Sequence, residues 1–151
     1  MKVFCWDTSA LINAWRLYPR DIFPSLWTRM DEWGNEGSFT APEQVLGELQ
    51  KRDDELHAWA RDRHHLFKPA DEAVQTELTG ILAQYPGLVD ANAVDEDADP
   101  FVIALAKATS AAVVSDENLK QNALKIPNLC SHLGIECLKL LAFFRDVGLE
   151  L

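Results

Sequence analysis

The sequence predicts an α/β fold in which a mostly parallel sheet lies between two layers of helices. Short apolar segments with the composition of strands alternate along the chain with longer amphipathic segments, a pattern typical of parallel sheets. The first strand, Lys2 to Trp6, is apolar on both faces, as in a central strand covered by helices on either side. We therefore predict a three-layer α/β/α sandwich whose chain begins in the middle of the sheet.

Two helices and a short connection should follow the first strand. Ser9 can cap a helix that stops before Pro19. A second helix begins with a proline in its first turn and covers residues 24–33, and Gly34 is expected to end it. Segment 38–41 is either a brief strand or only a connection.

The middle of the chain is predicted to be helical. The sequence TAPE at 40–43 has the form of a capping box, which predicts a long helix reaching about Arg63. Residues 71–85 show the spacing of a further amphipathic helix, ended by Pro86 and Gly87. The acidic segment DANAVDEDAD, residues 90–99, is predicted to be a loop.

The last third of the chain should contain two more strands, at 111–115 and 135–138. Asp99 and Pro100 open a helix that leads directly into the first of them. Segment 127–133 is predicted as a helix, and segment 140–147 as the closing one. No internal repeat or low-complexity linker divides residues 1–151, so we expect a single domain.

The charge of the chain limits how it could bind nucleic acid. Fourteen Lys and Arg against 24 Asp and Glu give a formal net charge of −10, which argues against a broad basic binding face. If RNA is the substrate, metal ions must supply much of the local positive charge. The same acidity favours a basic partner segment.

The cysteines and the first residues indicate the compartment. Three cysteines without a CxxC spacing predict neither a disulfide framework nor a zinc site, and they suit a reducing environment. The first apolar run contains an aspartate and does not have the form of a signal peptide. No stretch reaches the roughly 18 apolar residues of a membrane span. We therefore predict a cytoplasmic protein without membrane association.

Several acids are predicted at the edge of the sheet where ligands bind in open α/β folds, just beyond the carboxyl ends of the strands. Asp7 follows the first strand, and Asp116 and Glu117 follow the strand at 111–115. The helix that starts at Asp99 leads into that strand. Its first turn should therefore lie near the opposite edge, unless the preceding loop folds back over the site.

Carboxylates that are forced together repel one another, and a divalent cation among them relieves this repulsion. Oxygen ligands of this kind select Mg²⁺ or Mn²⁺ over zinc. Such ions lower the pKa of bound water and stabilise charge on an attacked phosphate, so that no nucleophilic serine or cysteine is needed.

Four segments resemble the acidic signatures of PIN domains, in the same order and across nearly the whole chain. They are FCWDTSALI at 4–12, VLGEL at 45–49, ADPFVIALA at 98–106 and AVVSDEN at 112–118. The sequence is also similar to a group of uncharacterised bacterial PIN-like proteins in the stretches RDIFPSLW, DDELHAWA and KIPNLCSHLGIECL.

This resemblance implies a metal-dependent endoribonuclease, frequently the toxin of a type II toxin–antitoxin pair. It implies Mg²⁺ or Mn²⁺ as cofactor and RNA as substrate, and the expected assemblies are a complex with a cognate antitoxin and a homodimer. The fourth acid of the family usually follows a hydroxyl residue and one further residue, which selects Glu117, although Asp116 is shorter and closer to the strand. By this analogy the metal ligands are Asp7, Glu48, Asp99, and Glu117 or Asp116, supported by Ser9 and Ser115.

Each acid also has a structural alternative. Asp7 can cap the first helix, although neighbouring hydroxyl residues can do the same. Glu48 is one of many acids on a long helix, but it lies beside a buried stripe. Asp99 precedes Pro100, which makes it a good N-cap. In the acidic loop, Asp95 or Asp97 could contribute an outer contact to a metal. The cations best placed by sequence to contact phosphates are Arg16, Arg20, Lys120 and Lys125.

Two other functions compete with the nuclease. A PIN-like fold that has lost its chemistry could serve as a binding or scaffold module; retention of all four acids argues against this, although a glutamate in the fourth position is longer than the usual aspartate. A phosphatase-like enzyme would need a second aspartate two residues after Asp7, where this chain has Ser9.

Overall fold

Five parallel strands form the sheet of the computed structural model, which describes residues 1–52, 54–88, 97–117 and 125–150. The strand order is β3-β2-β1-β4-β5. The strands are β1 Phe4–Trp6, β2 Phe39–Pro42, β3 Phe67–Lys68, β4 Ala112–Val114 and β5 Cys137–Leu138. The prediction that the chain begins with the middle strand is confirmed.

Eight α-helices lie within these described ranges. They are α1 Thr8–Leu17, α2 Pro24–Glu36, α3 Glu43–Arg52, α4 Glu55–Arg61, α5 Glu72–Gln84, α6 Asp99–Thr109, α7 Ile126–Leu133 and α8 Leu140–Asp146. Short 3₁₀ turns cover His64–Leu66 and Pro86–Leu88.

Helices pack on both faces of the central strand. Phe4 and Trp6 point to one face, where their rings contact Phe143 of α8 at 4.9 and 5.0 Å between centroids. Cys5 points to the other face, where its thiol lies 3.6 Å from the carbonyl oxygen of Val102 in α6. Because all three strand residues are buried, the predicted three-layer α/β/α arrangement is confirmed.

Helix α2 does not end at Gly34, contrary to the sequence prediction. It continues to Glu36, and Gly37, with φ of 84°, terminates it in the left-handed conformation. Gly34 instead lies inside the helix and packs against the buried Leu66, since a Cβ there would lie 2.9 Å from the methyl groups of that leucine. The glycine therefore permits close packing inside the helix.

The long helix predicted to reach Arg63 is two helices. Asp54 accepts a hydrogen bond from the backbone N–H of His57 at 3.1 Å and caps α4, so the helical pattern restarts there. Thr40 lies in β2 rather than in a capping box. The two-residue strand β3 that follows was not predicted, because two residues carry no periodic signal.

The structure also bears on the chemistry of the cysteines and on membrane insertion. Cys5, Cys130 and Cys137 are free thiols. In the part of the chain that the structure describes, no helix combines the length and apolar character that crossing a bilayer requires.

Candidate functional site

Asp7 follows the last residue of β1, at the point where the strand order of the sheet reverses. Strand β1 pairs with β2 on one side and with β4 on the other, and the backbone N–H of Asp7 donates to the carbonyl oxygen of Val114 at 3.1 Å. A crevice forms at such a point in open α/β sheets. The side chain is 1% exposed, so this carboxylate is held inside the protein.

Asp7, and not Ser9, caps helix α1. Its Oδ1 accepts a hydrogen bond from the backbone N–H of Ala10 at 2.8 Å. The Oγ of Ser9 donates instead to the Asp7 carboxylate, 2.8 Å from Oδ1, and the buried Ser115 donates to Oδ2 at 2.5 Å. The structural and functional interpretations of Asp7 are therefore compatible, and both predicted supporting serines lie beside it.

Burial dominates the electrostatics of Asp7. It raises the pKa of this carboxyl to about 7, although the hydrogen bonds from Ser115, Ala10 and Ser9 favour the ionised form. The charge of Glu117 raises the pKa further. Asp7 is thus a buried carboxylate with a negative neighbour, a setting that a bound cation would stabilise.

Asp99 lies at the same edge of the sheet as Asp7 and not at the opposite edge, a point that the sequence alone left open. A helix that leads into a parallel strand runs antiparallel to that strand, and its first turn therefore sits where the strands end. Burial raises the pKa of Asp99 well above its usual range, and the charges of Glu117 and Asp97 act in the same direction. These charges can act on Asp99 only because the carboxylates lie close together.

The predicted N-cap role of Asp99 is wrong. Helix α6 begins at Asp99 itself, and the preceding Ala98 is its N-cap residue. The backbone N–H of Asp99 donates to Oδ1 of Asp97 at 3.0 Å. Asp97 therefore supports the first turn, which leaves the side chain of Asp99 uninvolved in capping.

Glu48 approaches the same turn from helix α3. Its Oε1 accepts the backbone N–H of Ala98 at 2.7 Å, so the half-buried carboxylate is bonded to the start of α6. Burial raises the pKa of Glu48, the hydrogen bond from Ala98 opposes this effect, and the charge of Asp97 adds to it. Glu48, for which the sequence pattern gave the least support, thus lies beside the segment that carries Asp99.

Glu117 completes the group of acids. Besides its charge effect on Asp7, Glu117 raises the pKa of the Asp99 carboxyl, so the two side chains lie close together. Its Oε2 accepts the backbone N–H of Ile126 at 3.1 Å, and its own N–H donates to Oγ of Ser115 at 3.2 Å. The carboxylate of Asp116, in contrast, is bonded to Asn13 and to the N–H of Leu140.

The donor chemistry of these acids fits a hard divalent cation, since every side chain offers carboxylate oxygens and the raised pKa values of Asp7 and Asp99 reflect burial and mutual repulsion. Their positions do not form a finished coordination sphere. Within the described ranges, no three His, Cys, Asp or Glu side chains are arranged to hold one metal ion. Repulsion keeps ionised carboxylates apart where no cation is present, so closure of the group would have to accompany metal binding.

Among the described residues, the predicted phosphate-binding cations Arg16 and Arg20 lie at or beyond the end of α1 that is far from Asp7. Arg16 is exposed in the last turn of α1, and Arg20 lies beyond the end of that helix. Lys125 is the N-cap residue of α7, next to the amide that contacts Glu117. Lys120 lies outside the described residues, as do Asp90, Asp95 and Glu96 of the acidic loop.

A cavity of about 1070 Å³ lies between α1, α2 and α4, and none of the four predicted metal ligands lines it. Trp59 forms part of its wall, with the guanidinium of Arg63 4.7 Å from its ring centroid. Arg63 is also paired with Asp31, and Arg20 lines the same cavity. Arg20 therefore belongs to this cavity.

Sequence reasoning missed Asn13, whose amide donates to Asp116. The available signal was its spacing: Ser9 and Asn13 are four residues apart, which places them on one face of α1, and both contact Asp116. A polar pair at this spacing in a largely apolar helix indicates a partner outside the helix.

Comparisons with known proteins agree with this fold. The model of the family described as a domain of unknown function (DUF4411) matches residues 4–151. No curated protein matches. The chain is similar to one chain of the crystal structure of VapBC2 from Rickettsia felis bound to a DNA fragment from their promoter, with 16% identity, a TM-score of 0.52, and coverage of 91% of this chain and 98% of that one. At this identity the likeness shows the fold, which is PIN-like, and the match over nearly the full length places the chain in the DUF4411 family.

Proposed function

We propose that this protein is a metal-dependent endoribonuclease that hydrolyses phosphodiester bonds of RNA. The observation that carries the proposal is the approach of Asp7, Asp99 and Glu117 at the crevice of a PIN-like sheet, where the charge of Glu117 raises the pKa values of Asp7 and Asp99. A partly buried group of like charges is costly for stability, and such groups are typical of functional sites.

Asp7, Glu48, Asp99 and Glu117 would hold Mg²⁺ or Mn²⁺. When bound there, the cation lowers the pKa of a water molecule and stabilises negative charge on the phosphate. Ser9 and Ser115 orient the Asp7 carboxylate through their hydroxyl donors.

The role of Glu48 is divided between its two oxygens. The bond from Ala98 occupies one side of the carboxylate and fixes the helix start. Metal binding would use the remaining oxygen. This arrangement would bring α3 and the first turn of α6 to the same ion.

Incubation of purified protein with total RNA and with transfer RNA tests the activity. We expect cleavage in Mg²⁺ or Mn²⁺ and none in chelator, because the carboxylates alone offer no nucleophile and carry the wrong charge to bind phosphate. RNA that stays intact at all metal concentrations, with a folded and pure protein, would contradict the proposal.

The fourth acid is predicted to be Glu117. Its carboxylate lies close to Asp99, whereas the carboxylate of Asp116 is bonded instead to Asn13 in α1 and to the N–H of Leu140 in α8. We expect Glu117→Gln to weaken Mn²⁺ binding by more than about tenfold, because it removes a direct ligand. Asp116→Asn should weaken it by less than about threefold, because the asparagine oxygen can still accept the Leu140 N–H and its amide can bond to Asn13 in the opposite amide orientation. Calorimetric titration of both variants measures this order, and the reverse order would mean that the assignment is off by one residue.

The same site is proposed to be the toxin site of a type II toxin–antitoxin pair. The PIN-like fold is shared with a chain of the VapBC2 structure, and the net charge of −10 suits a basic partner. We expect a cognate antitoxin to block the crevice with an Arg or Lys paired to the carboxylates. Co-expression with the product of the neighbouring reading frame tests this, and the absence of both a complex and relief of growth inhibition would remove the support for a toxin.

A binding or scaffold module is the second candidate, favoured by the lack of a formed metal sphere among the described residues. A binding or scaffold role predicts that neither Mn²⁺ nor chelator changes the thermal stability of the protein. The nuclease proposal predicts a rise in the midpoint of thermal unfolding with Mn²⁺, because a ligand that binds only the folded state stabilises it.

A further inference from the structure

The carboxylate of Asp116 connects two helices that approach the site from different directions. Its Oδ2 accepts the side-chain amide of Asn13 in α1 at 3.1 Å, and its Oδ1 accepts the backbone N–H of Leu140, the first residue of α8, at 2.8 Å. We refer to these two contacts as the Asp116 bridge. The Leu140 N–H has no partner within its own helix, so Asp116 satisfies it from outside.

The turn after β4 is fixed by further bonds on either side of this bridge. The N–H of Asp116 donates to Oγ of Ser9 at 3.1 Å, and the N–H of Glu117 donates to Oγ of Ser115 at 3.2 Å. Ser9 and Asn13 lie on one face of α1, so this helix contacts both the backbone and the side chain of Asp116. Residues 115–117 are thereby held to α1 on one side and to α8 on the other.

This anchoring sets the position of Glu117. The bridge and the carboxylate that lies close to Asp99 belong to adjacent residues, Asp116 and Glu117, and the Glu117 side chain also accepts the N–H of Ile126 at 3.1 Å. Release of Asp116 would let the turn rotate and carry Glu117 away from both partners. Alignment errors of about 1 Å at a reacting centre can cost about 100-fold in rate.

We propose that Asn13 and Asp116 are positioning residues. They hold the turn after β4 so that Glu117 lies close to Asp99, and neither Asn13 nor Asp116 contacts the metal. The proposal rests on the proposed nuclease function for its catalytic consequence. The geometric part concerns only hydrogen bonds within the protein, and it can be measured without metal.

Swapping the asparagine and the aspartate between positions 13 and 116 distinguishes a positioning role from direct metal binding. Asn13→Asp alone places two carboxylates against each other and breaks the bridge. The double variant Asn13→Asp/Asp116→Asn restores it with reversed polarity: the new amide can still accept the Leu140 N–H through its oxygen and can donate its N–H to the new carboxylate. The double variant has the net charge of the wild type.

Mn²⁺ titration and RNA cleavage are then measured for the wild type, Asn13→Asp, Asp116→Asn and the double variant. We expect Asn13→Asp to weaken Mn²⁺ binding at least tenfold and the double variant to return to within about threefold of the wild type. An added negative charge would by itself strengthen cation binding, so a loss in Asn13→Asp reports displacement. Where the wild type binds Mn²⁺, wild-type affinity in Asn13→Asp, or failure of the double variant to recover its affinity, would overturn the proposal.

Amide hydrogen exchange of Ile126 supplies the readout that needs no metal. The first N–H of a helix has no partner in its own helix, and here it bonds to Glu117. We expect exchange at Ile126 to be at least tenfold faster in Asn13→Asp and restored in the double variant, with core amides of β1 unchanged. Unchanged exchange at Ile126 would overturn the proposal. If the wild type binds no Mn²⁺, but exchange at Ile126 is faster in Asn13→Asp and restored in the double variant, the nuclease function is contradicted and the positioning role is upheld.

Discussion

Replacement of Asp7 by asparagine is expected to abolish metal-dependent RNA cleavage, a loss of more than about 100-fold, since even indirect partners of a metal ligand contribute 10–100-fold. The variant removes one negative charge from the proposed metal site and leaves the size of the side chain unchanged. Asp99→Asn should behave in the same way for the same reason. Both variants are measured with labelled RNA over a range of Mn²⁺ concentrations.

The fold should survive the Asp7→Asn change. Asparagine can still accept the N–H of Ala10 through its oxygen and so retains the cap of α1. Without metal, thermal stability should stay level or rise, because the variant removes a buried charge that faces Glu117. Asp7→Ala is the matched control, since it also loses the cap, at a cost of about 1 kcal/mol. An active Asp7→Asn enzyme, free of wild-type protein, would rule out the proposed site.

The stability of the metal-free protein should decrease as the pH rises from about 4 to about 7. The pKa of Asp7 is raised from 3.8 to about 7 by burial, so in this window the folded protein keeps a proton that the unfolded chain has lost. Stability from such a group is complete below the lower pKa and is lost towards the higher one. One carboxyl contributes a slope of at most about 1.4 kcal/mol per pH unit. Asp99 acts in the same direction.

Urea unfolding in chelator at several pH values measures this slope for the wild type and for Asp7→Asn. The two proteins share every other titrating residue, so the difference between their slopes reports Asp7 together with its effect on the neighbouring Asp99. Saturating Mn²⁺ should reverse the trend, because the cation binds the ionised carboxylates. Equal slopes in the two proteins without metal would contradict a buried, protonated Asp7.

The sequence was sufficient to predict the parts of the fold that strand character and chain order determine. Strand β1 could be placed in the middle because it is apolar on both faces, and the motif order placed an acid at each of four positions. The location of Asp99 could not be obtained this way. It depends on the direction in which α6 crosses the sheet, which the sequence alone left open.

Other features were missed because they depend on contacts distant in sequence. Gly34 resembles a helix end in the sequence, but its role is set by Leu66, which packs against it. The break between α3 and α4 depends on the cap at Asp54, within a stretch whose composition favours helix throughout. Asp116 and Glu117 are adjacent acids in the sequence, and only the positions of Asn13, Leu140 and Ile126 distinguish their surroundings.

Calorimetric titration of the metal-free protein with Mn²⁺ near pH 7, in buffers of different ionisation enthalpy, tests the central claim most directly. The carboxyls of Asp7 and Asp99 have raised pKa values, so metal binding must displace protons from them. We predict saturable binding accompanied by proton release, with both lost in Asp99→Asn. Absence of saturable binding, or an unchanged isotherm in Asp99→Asn, would contradict a metal site built from these acids.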